Sequence, residues 1–391
     1  MKTVAVFFGG RSAEHDVSII TALSSVIKPL ELTGKYKVAP VYITKDGRWY
    51  MHDKLKDIKQ YQGSGIEKLL ASIKPVIVDF DGGFSLLQPT RFGQKRVKVD
   101  IAFPAMHGTF GEDGSLMGIL DMANVPYVGC DLQSSVVAMD KILSKAVAKE
   151  AGLPTVQDVT FSASEYRENS SSMLDRIEQE LSFPAFVKPP HLGSSVGVMK
   201  VVDRASLAEA IDTALHYDNK VLVEKAVANL REATLPIMGY GDTVIPALLE
   251  EPLFNTDEFF DFDTKYLRGG KGGKKGGGKV GAKQGAQGYS NVPANFPEKL
   301  YAEVQSIAVA GFKAAGCCGI ARVDILIDET ANRIYFNEIN PLPGSLYAHN
   351  WAKAGYSNVA LVEKLIEFAL ARFDERQRLI TTFDTSFLKQ F

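Results

Sequence analysis

Short apolar runs, each followed by a helical pattern, occupy the first third of the chain. Thr3–Phe8 is such a run, and it ends at a pair of glycines, which is typical of a buried parallel strand. The same pattern predicts further strands at Val38–Ile43, Val76–Phe80 and Asp100–Ala105. Strands that alternate with helices indicate an open, mostly parallel sheet, and ligands bind such sheets at the carboxyl ends of the strands.

The segment after the first strand predicts a helix. Ser12 is a suitable N-terminal cap, and Glu14 and Asp16 then fall in the first turn, where the helix dipole favours anions. The helix is expected to continue to about Lys28. The sequence GGRS at residues 9–12 lacks the GxGxxG spacing, so a dinucleotide-binding turn is not indicated.

Beyond about Ser134 the chain alternates between amphipathic helices and short strands. Helices are predicted at Val136–Ala151, Glu165–Leu181, Ala205–His216, Pro297–Ala315 and Asn358–Arg372. Strands are predicted at Ala185–Lys188, Ser195–Val202, Val221–Glu224, Gly319–Ile327 and Arg333–Ile339. The first two of these strands form a hairpin with a glycine and two serines near its tip. Because a single core stops growing near ~250–300 residues, the 391 residues predict two or three domains.

The segment Arg268–Gly288 has the most unusual composition, with ten glycines and five lysines among its residues. One interpretation is a mobile, solvated loop, because glycine raises the entropy that ordering must overcome. The other is a lid that closes over a phosphate-bearing ligand, since long loops within domains are often lids. Composition does not decide between them.

Charge and cysteine content narrow the class of protein. The 44 basic and 46 acidic residues give a formal net charge of −2, so no global basic field attracts nucleic acid or an anionic membrane. The three cysteines form no CxxC pair and no disulfide framework, which suits a reducing compartment. Apolar runs are too short for a signal peptide or a membrane span. We therefore expect a cytoplasmic protein that binds neither nucleic acid nor membrane.

Two strands near the C-terminus carry the strongest chemical pattern. Side chains alternate along a strand, so Arg322 and Asp324 share one face, as do Glu338 and Asn340 on the next strand. Pairing the strands brings Asp324, Glu338 and Asn340 together as oxygen ligands, a set that suits Mg²⁺. Arg322 beside them can hold a phosphoryl oxygen.

A second pattern lies in the predicted hairpin. Lys188 ends an apolar strand and is followed by a turn of small residues whose N–H and hydroxyl groups can cradle phosphates. Lys141, in the sequence MDK, is a second lysine able to reach the same phosphates. The turn is not the GxxxxGK[ST] phosphate loop, so a P-loop enzyme is not indicated.

Taken together and in order, these motifs resemble the D-alanine–D-alanine ligases of the ATP-grasp superfamily. The resemblance runs from Val4 to about Arg372. It rests on SAEHDVS at residues 12–18, HGTFGEDG at 107–114, MDK at 139–141, VKPPHLGSSVGV at 187–198, VEK at 223–225, TKYL at 264–267, ARVD at 321–324 and NEINPLPGS at 337–345.

The resemblance implies a fold and an order of domains. It implies an α/β N-terminal domain with an open, mostly parallel sheet, the substrate-binding domain before the ATP-grasp fold, at residues 1–133. A two-subdomain α+β ATP-grasp fold follows, with the small subdomain at 134–225. The large subdomain, at 226–391, carries the metal site and the lid loop. Dimers are usual in the family, so a homodimer is expected.

The resemblance also implies where ATP binds. Lys141 and Lys188 match the phosphate-binding lysines, and Gly193, Ser194 and Ser195 match the tip of the glycine-rich hairpin.

The nucleoside of ATP is placed by a second set of matches. Glu224 matches the residue that takes the adenine amino group, with Lys225 to Val227 as the hinge. Glu232 matches the ribose-binding acid, although the segment Ala228–Arg231 is one residue longer than usual.

For the metal and the amino acids the resemblance adds further roles. Asp324, Glu338 and Asn340 match the ligands of two Mg²⁺ ions, which Mn²⁺ can replace. Arg322 stabilises the transferring phosphoryl group. The remaining matches concern the first amino acid, whose ammonium is anchored by Glu14 and whose hydrogen-bond partners in the closed site are Tyr266 and Ser194.

The implied reaction joins two D-alanine molecules through an acyl phosphate, giving D-alanyl-D-alanine, ADP and phosphate for peptidoglycan and cell-wall synthesis. The segment Pro341–Asn350 departs from the serine- and threonine-rich sequence usual at the second substrate. An ATP-grasp ligase with another acceptor, such as a different amino acid or a hydroxy acid, is therefore the alternative. A nucleotide-binding regulator without catalysis is the third hypothesis, and the complete metal set, Arg322 and both lysines argue against it.

Overall fold

The computed structural model describes residues 1–253 and 290–391. Its strands are β1 (Lys2–Gly9), β2 (Tyr36–Ile43), β3 (Trp49–Met51), β4 (Ile77–Asp79), β5 (Ser85–Thr90), β6 (Gly93–Lys98), β7 (Ile101–Pro104), β8 (Asp158–Ser162), β9 (Ala185–Lys188), β10 (Met199–Val201), β11 (Lys220–Lys225), β12 (Leu230–Tyr240), β13 (Thr243–Pro246), β14 (Glu251–Pro252), β15 (Ser290–Asn291), β16 (Gly319–Asp328) and β17 (Arg333–Asn340). Its α-helices are α1 (His15–Ile20), α2 (Lys28–Leu32), α3 (Gly65–Ser72), α4 (Ser115–Met122), α5 (Leu132–Met139), α6 (Lys141–Glu150), α7 (Ala163–Glu168), α8 (Ser170–Leu181), α9 (Arg204–Ala214), α10 (Glu298–Ala314), α11 (Ala348–Lys353) and α12 (Asn358–Arg376).

The first sheet has the strand order β3-β2-β1-β7, with β1 parallel to both of its neighbours and only the edge strand β3 antiparallel. The apolar run in β1 is explained by burial on both faces. Val4, Val6 and Phe8 pack into one core and Ala5 and Phe7 into another. The prediction of an open, mostly parallel sheet is confirmed.

The apolar run Val76–Phe80 does form a strand, β4, but not in this sheet. β4 pairs with β5 in a separate antiparallel sheet of order β4-β5-β6. Because the run is short and exposed, it does not indicate whether its strand belongs to the first sheet or to a small separate sheet. β5 and β6 were not predicted.

The first helix begins later than expected. Ser12 does not cap it, because its Oγ accepts a hydrogen bond from the N–H of Glu14 at 3.0 Å in a turn that precedes the helix. Glu14 occupies the capping position. The helix then continues past the predicted end through a π-helical segment, Thr21–Ile27, into α2.

The second sheet has the order β10-β9-β11-β8 and is antiparallel throughout. The predicted hairpin is present, since Met199 pairs with Val187. Its second strand is shorter than predicted, because Ser194 and Ser195 have φ of 53° and 58° and leave the extended conformation. We call residues 189–198, between β9 and β10, the glycine-rich turn.

The third sheet has the order β13-β12-β16-β17 and is also antiparallel. It pairs the two chemically marked strands, β16 and β17, as predicted. In the observed register Asp324 lies opposite Glu338 and Arg322 opposite Asn340. The long strand β12, which pairs along the whole of β16, was not predicted.

Two helices predicted as continuous are interrupted. The helix predicted at Val136–Ala151 is α5 and α6, separated by Asp140, whose carboxylate caps α6 by accepting from the N–H groups of Ile142 (2.8 Å) and Leu143 (3.2 Å). The helix predicted at Glu165–Leu181 is likewise two helices, α7 and α8, and Asn169 caps the second. Apolar periodicity continued through both caps and concealed them.

One hydrophobic core joins the two ends of the chain, because residues of β1 and of α12 belong to it together with the fully buried Trp351. All three cysteines are buried and free, as expected. Within the described part of the chain, no helix has both the length and the apolar character needed to cross a bilayer.

Candidate active site

The glycine-rich turn contacts the start of α1. Ser194 Oγ donates a hydrogen bond to Glu14 Oε1, although 180 residues separate them. A Cβ at position 193 would lie 2.8 Å from Glu14 Oε2, so any larger residue there would displace the Glu14 carboxylate. Glu14 is itself only 8% exposed. The predicted neighbours Glu14, Gly193 and Ser194 are therefore close together.

Lys141 connects this turn to β17. As the first residue of α6, it donates from Nζ to the carbonyl oxygen of Leu192 at 2.7 Å. The same ammonium lies 3.2 Å from Glu338 Oε2 on β17. The ammonium of Lys141 therefore lies between the glycine-rich turn and the predicted metal ligand Glu338.

Lys188 is half-buried at the end of β9 and forms an ion pair with Glu224 Oε2. Burial lowers the pKa of Lys188, but the carboxylates of Glu224 and Glu338 outweigh this effect, and the net pKa is raised. Lys188 therefore remains a cation. Its charge is available for an anionic ligand.

Glu224 is held by two lysines, and the second was not anticipated. Lys145, only 2% exposed, is ion-paired with Glu224 Oε1 and donates to the carbonyl oxygen of Val156 at 3.0 Å. Burial raises the pKa of Glu224, but Lys188 and Lys145 together lower it to about 2. Lys145 lies one helical turn after Lys141, a spacing that alone did not distinguish it from a surface residue.

The predicted hinge follows β11. Lys225 is exposed, and its N–H donates to the carbonyl oxygen of Gln157 at 3.0 Å. Val227 is half-buried in the connection to β12. Glu232 lies on β12, and its charge contributes to the raised pKa of Lys188.

Arg322 and Asp324 form a bidentate pair on β16. Arg322 Nε and Nη2 donate to Asp324 Oδ1 and Oδ2 at 2.7 and 2.5 Å. The guanidinium also lies 5.4 Å from the ring centre of Tyr347. Burial lowers the pKa of Arg322, Asp324 raises it more, and the side chain stays charged.

Asp324, Glu338 and Asn340 fit a magnesium site by their chemistry and register. The Asn340 amide is assigned with its nitrogen towards the carbonyl oxygen of Leu342 (3.3 Å) and Glu112 Oε2 (3.2 Å), because both of these atoms are acceptors; in this orientation the amide oxygen points away from them. Two carboxylates and one amide oxygen are hard ligands that suit Mg²⁺. In the described residues, no three His, Cys, Asp or Glu side chains gather as a metal site.

Glu112, in the motif HGTFGEDG, is buried beside Asn340 and Glu14, a position that the motif alone does not indicate. It accepts from the N–H groups of Gly108 at 2.7 Å and Leu342 at 3.2 Å. Burial and the charge of Glu14 raise its pKa well above the usual range. It therefore fixes the backbone that follows β17.

His107, in the same motif, is also buried at the site. Its Nε2 lies 2.8 Å from Thr21 Oγ1, which accepts from the N–H of Ser345 at 2.9 Å. Burial lowers the pKa of His107, despite the opposing charge of Glu14. The motif itself was the only sequence signal for either residue.

The loop proposed for the acceptor has an unusual backbone. Ser345, Leu346 and Tyr347 are consecutive left-handed residues, with φ of 52°, 53° and 52°. Non-glycine residues rarely adopt this conformation, and neighbouring structure must hold it. After it, His349 Nε2 lies 2.8 Å from Glu250 Oε2, and Asn350 exchanges hydrogen bonds with the backbone of Leu248.

Tyr266, the motif TKYL at 264–267 and the segment Arg268–Gly288 lie outside the described residues. Their predicted roles stay predictions.

Two family models match the chain. The model described as the D-ala D-ala ligase N-terminus matches residues 3–130, and that described as the D-ala D-ala ligase C-terminus matches residues 147–367.

Named relatives cover almost the whole length. A D-alanine–D-alanine ligase of Chloroherpeton thalassium is 38% identical over 96% of this chain and 98% of its own, and one of Acetivibrio thermocellus is 35% identical over 96% and 97%.

Solved structures agree with these matches. The D-alanine-D-alanine ligase of Coxiella burnetii has a TM-score of 0.76 and 28% identity, covering 97% of this chain and 98% of its own. The VanG D-Ala:D-Ser ligase of Enterococcus faecalis has a TM-score of 0.76 and 31% identity, covering 94% and 99%. These comparisons define an ATP-dependent ligase, an enzyme class that also requires a divalent metal. The chain belongs to the D-alanine–D-alanine ligase family.

Proposed function

We propose that this enzyme joins two molecules of D-alanine through an acyl phosphate, giving D-alanyl-D-alanine, ADP and phosphate as a precursor of peptidoglycan. The observation that carries the proposal is a pair of contacts made around one turn. Ser194 in the turn reaches Glu14, and Lys141, bonded to Leu192 of the same turn, reaches Glu338. A substrate ammonium at Glu14 and phosphates at the lysines would thus be adjacent.

Glu14 anchors the ammonium of the first D-alanine, with Ser194 and Tyr266 as hydrogen-bond partners. Its fixed position at the start of α1 turns the substrate carboxylate towards the glycine-rich turn. Holding the two reactants in this way replaces a bimolecular encounter and supplies much of the rate enhancement.

Phosphoryl transfer to a carboxylate requires neutralisation of two negative groups. Lys141, Lys188 and Arg322 supply positive charge, and Gly193 and Ser195 lie in the turn that covers the phosphates. All three cations are half-buried or buried, where electrostatic stabilisation is stronger than in water. The amine of the second D-alanine then attacks the acyl carbon, and phosphate leaves.

Asp324, Glu338 and Asn340 would hold two Mg²⁺ ions, with Mn²⁺ as a substitute. Bound there, the metal compensates the charge of the β- and γ-phosphates during transfer. Arg322 would then release Asp324 and donate to a phosphoryl oxygen instead.

We place the nucleoside of ATP beside Glu224, the residue that pairs with Lys188. Glu224, Lys225 and Val227 lie at the end of β11 and would bind adenine, while Glu232 on β12 would bind the ribose. The contact of Lys188 with Glu224 supports this arrangement, because it links the proposed adenine and phosphate regions.

A second candidate is an enzyme of the same chemistry with a different acceptor. The likeness to a D-Ala:D-Ser ligase and the departure at Pro341–Asn350 favour testing it. The polar groups of His349 and Asn350, both bonded to Glu250, lie in this segment.

We also propose domains at 1–133, 134–225 and 226–391, a cytoplasmic location and a homodimer. The domain division is supported by the sheets, because the strands of each four-stranded sheet fall within one of these ranges.

Release of ADP with and without D-alanine tests the function, with the chirality of the product determined. Supplying D-alanine with D-serine or D-lactate separates the two candidates by the product formed. ADP release that is independent of any amino acid would contradict both, and D-alanyl-D-serine as the main product would favour the second.

A further inference from the structure

His191, within the glycine-rich turn, is held between two carboxylates. Its Nδ1 lies 2.8 Å from Asp218 Oδ2, and its Nε2 lies 3.1 Å from Asp140 Oδ2. Its backbone N–H also donates to Asp218 Oδ2, at 2.9 Å. The carboxylates of Asp140 and Asp218 are only 5% and 4% exposed.

This geometry requires a particular protonation state. A neutral imidazole has one N–H, so only the doubly protonated ring can donate to both carboxylates. The two aspartates raise the pKa of His191 to about 9. Lys220 Nζ, 3.4 Å from Asp140 Oδ2, is the other charged group at this cluster.

The contacts connect the turn to the helix that carries Lys141. Asp140 caps that helix, and the N–H of Lys141 donates to the carbonyl oxygen of Pro190 at 3.2 Å. With the bond from Lys141 Nζ to Leu192, three consecutive residues of the turn are attached to the helix or to Asp218.

The residues that follow need this attachment. Ser194 and Ser195 adopt left-handed backbone conformations, and such conformations persist only where the surroundings determine them. The N–H groups proposed to meet the phosphates belong to this part of the turn. If the attachment of residues 190–192 were lost, these N–H groups would no longer point in fixed directions.

We propose that His191 is a positioning residue, which fixes the glycine-rich turn against α6 and Asp218 and thereby sets the affinity for the nucleotide. The proposal rests on the proposed function, in which this turn binds the phosphates of ATP.

The sign of the pH dependence follows from the protonation state. Because the pKa of His191 is raised from 6.5 to about 9, the attachment is complete below 6.5 and is lost as the pH rises through about 9. Nucleotide affinity should fall over the same interval.

Calorimetry with Mg²⁺ and a non-hydrolysable ATP analogue, at about pH 7 and about pH 10, tests this in the full chain. His191→Asn should weaken binding about tenfold to a hundredfold at the lower pH, the range expected for charge-assisted hydrogen bonds. The nucleotide affinity of His191→Asn should also fall much less between the lower and the higher pH than the affinity of the wild type. The matched control is His216→Asn, which should behave as the wild type. His216 is exposed and forms a hydrogen bond with the carbonyl oxygen of Asp212.

Two comparisons separate the possible failures. Wild-type affinity and pH profile in a folded His191→Asn enzyme would overturn the positioning role. Undiminished affinity in Lys188→Ala would instead contradict the proposed phosphate site. If His191→Asn does not fold, Asp218→Asn removes one carboxylate from the same ring and should move the pH transition to lower values; an unmoved transition would overturn the proposal.

Discussion

At the scale of single residues, the least exposed lysine of the site has no place in the proposed reaction. Lys145 contacts Glu224, the carbonyl oxygen of Val156 and, at 3.4 Å, Asp158. A buried cation of this kind holds a carboxylate in one orientation, and its loss leaves that carboxylate with a single partner.

Lys145→Met should therefore lower the stability by about 1.5–3 kcal/mol, the range for hydrogen bonds to charged groups. It should also raise KM for ATP, because Glu224 and Lys188 lose a fixed position. Urea denaturation and steady-state kinetics measure the two effects. Lys149→Met, one turn later and 50% exposed, is the control; an equal effect in both variants would contradict the role of Lys145.

Glu338 combines two contacts, the ammonium of Lys141 at 3.2 Å and the strand position opposite Asp324. Glu338→Gln should abolish ADP formation while the fold persists, because the site loses one of its two carboxylates. Kinetics with Mg²⁺, together with circular dichroism, would show this. Glu367→Gln, 65% exposed on α12, serves as the control. D-alanine-dependent turnover at the wild-type rate in Glu338→Gln would remove Glu338 from the metal site.

At the scale of elements, the glycine-rich turn packs closely against the Glu14 carboxylate at position 193. In Gly193→Ala the added methyl group would meet Glu14 Oε2 at 2.8 Å. Overpacking of this kind costs about 1–3 kcal/mol. We expect KM for the first D-alanine to rise by about fivefold to a hundredfold, from the same free energy. Initial rates at varied D-alanine concentration measure it, and an unchanged KM would show that Glu14 does not bind the substrate.

Individual strands were predictable, but their partners were largely not. β9, β11, β16 and β17 were identified within a residue or two, because each is an apolar run bounded by turn residues. The order of β8 to β11 and the position of β12 depend on pairing between distant segments, which local periodicity does not encode. The cap at Asp140 was not predictable for a related reason. Capping depends on the backbone geometry at one residue, and the apolar periodicity continues on both sides of Asp140.

The placement of the candidate site residues was predictable to the same extent, while their roles stay predictions. Asp324 and Glu338 followed from strand alternation, since their residues face each other in the pair. The partners of Glu224 and the buried Glu112 and His107 depend on tertiary packing. Only the family motif indicated that the latter two belong to the site.

At the scale of the whole molecule, Arg372 connects the last helix to the end of the N-terminal part. From α12 its guanidinium donates to the carbonyl oxygens of Gly129 and Tyr127, both at 2.7 Å, and contacts Cys318 Sγ. It also stacks on the ring of Tyr127 at 4.5 Å. No substrate group is proposed near it.

Arg372→Met should thus lower the stability by about 1.5–3 kcal/mol or more, because buried carbonyl oxygens lose a charged donor. KM for ATP and D-alanine should change little. Chemical denaturation and kinetics provide the comparison, with the exposed Arg378→Met as control. A large change in KM without loss of stability would place Arg372 in the site instead.

The contact between Thr21 and Ser345 spans 324 residues of sequence. At about 5–20 residues per second, Thr21 is synthesised roughly 15–65 s before its partner. All four strands of the first sheet have been made by then, but Glu14 and His107 still lack the loop that completes their surroundings. Under the proposed function, the nascent enzyme would therefore be unable to use ATP until nearly its whole length had been translated, and a chain released early would be inactive.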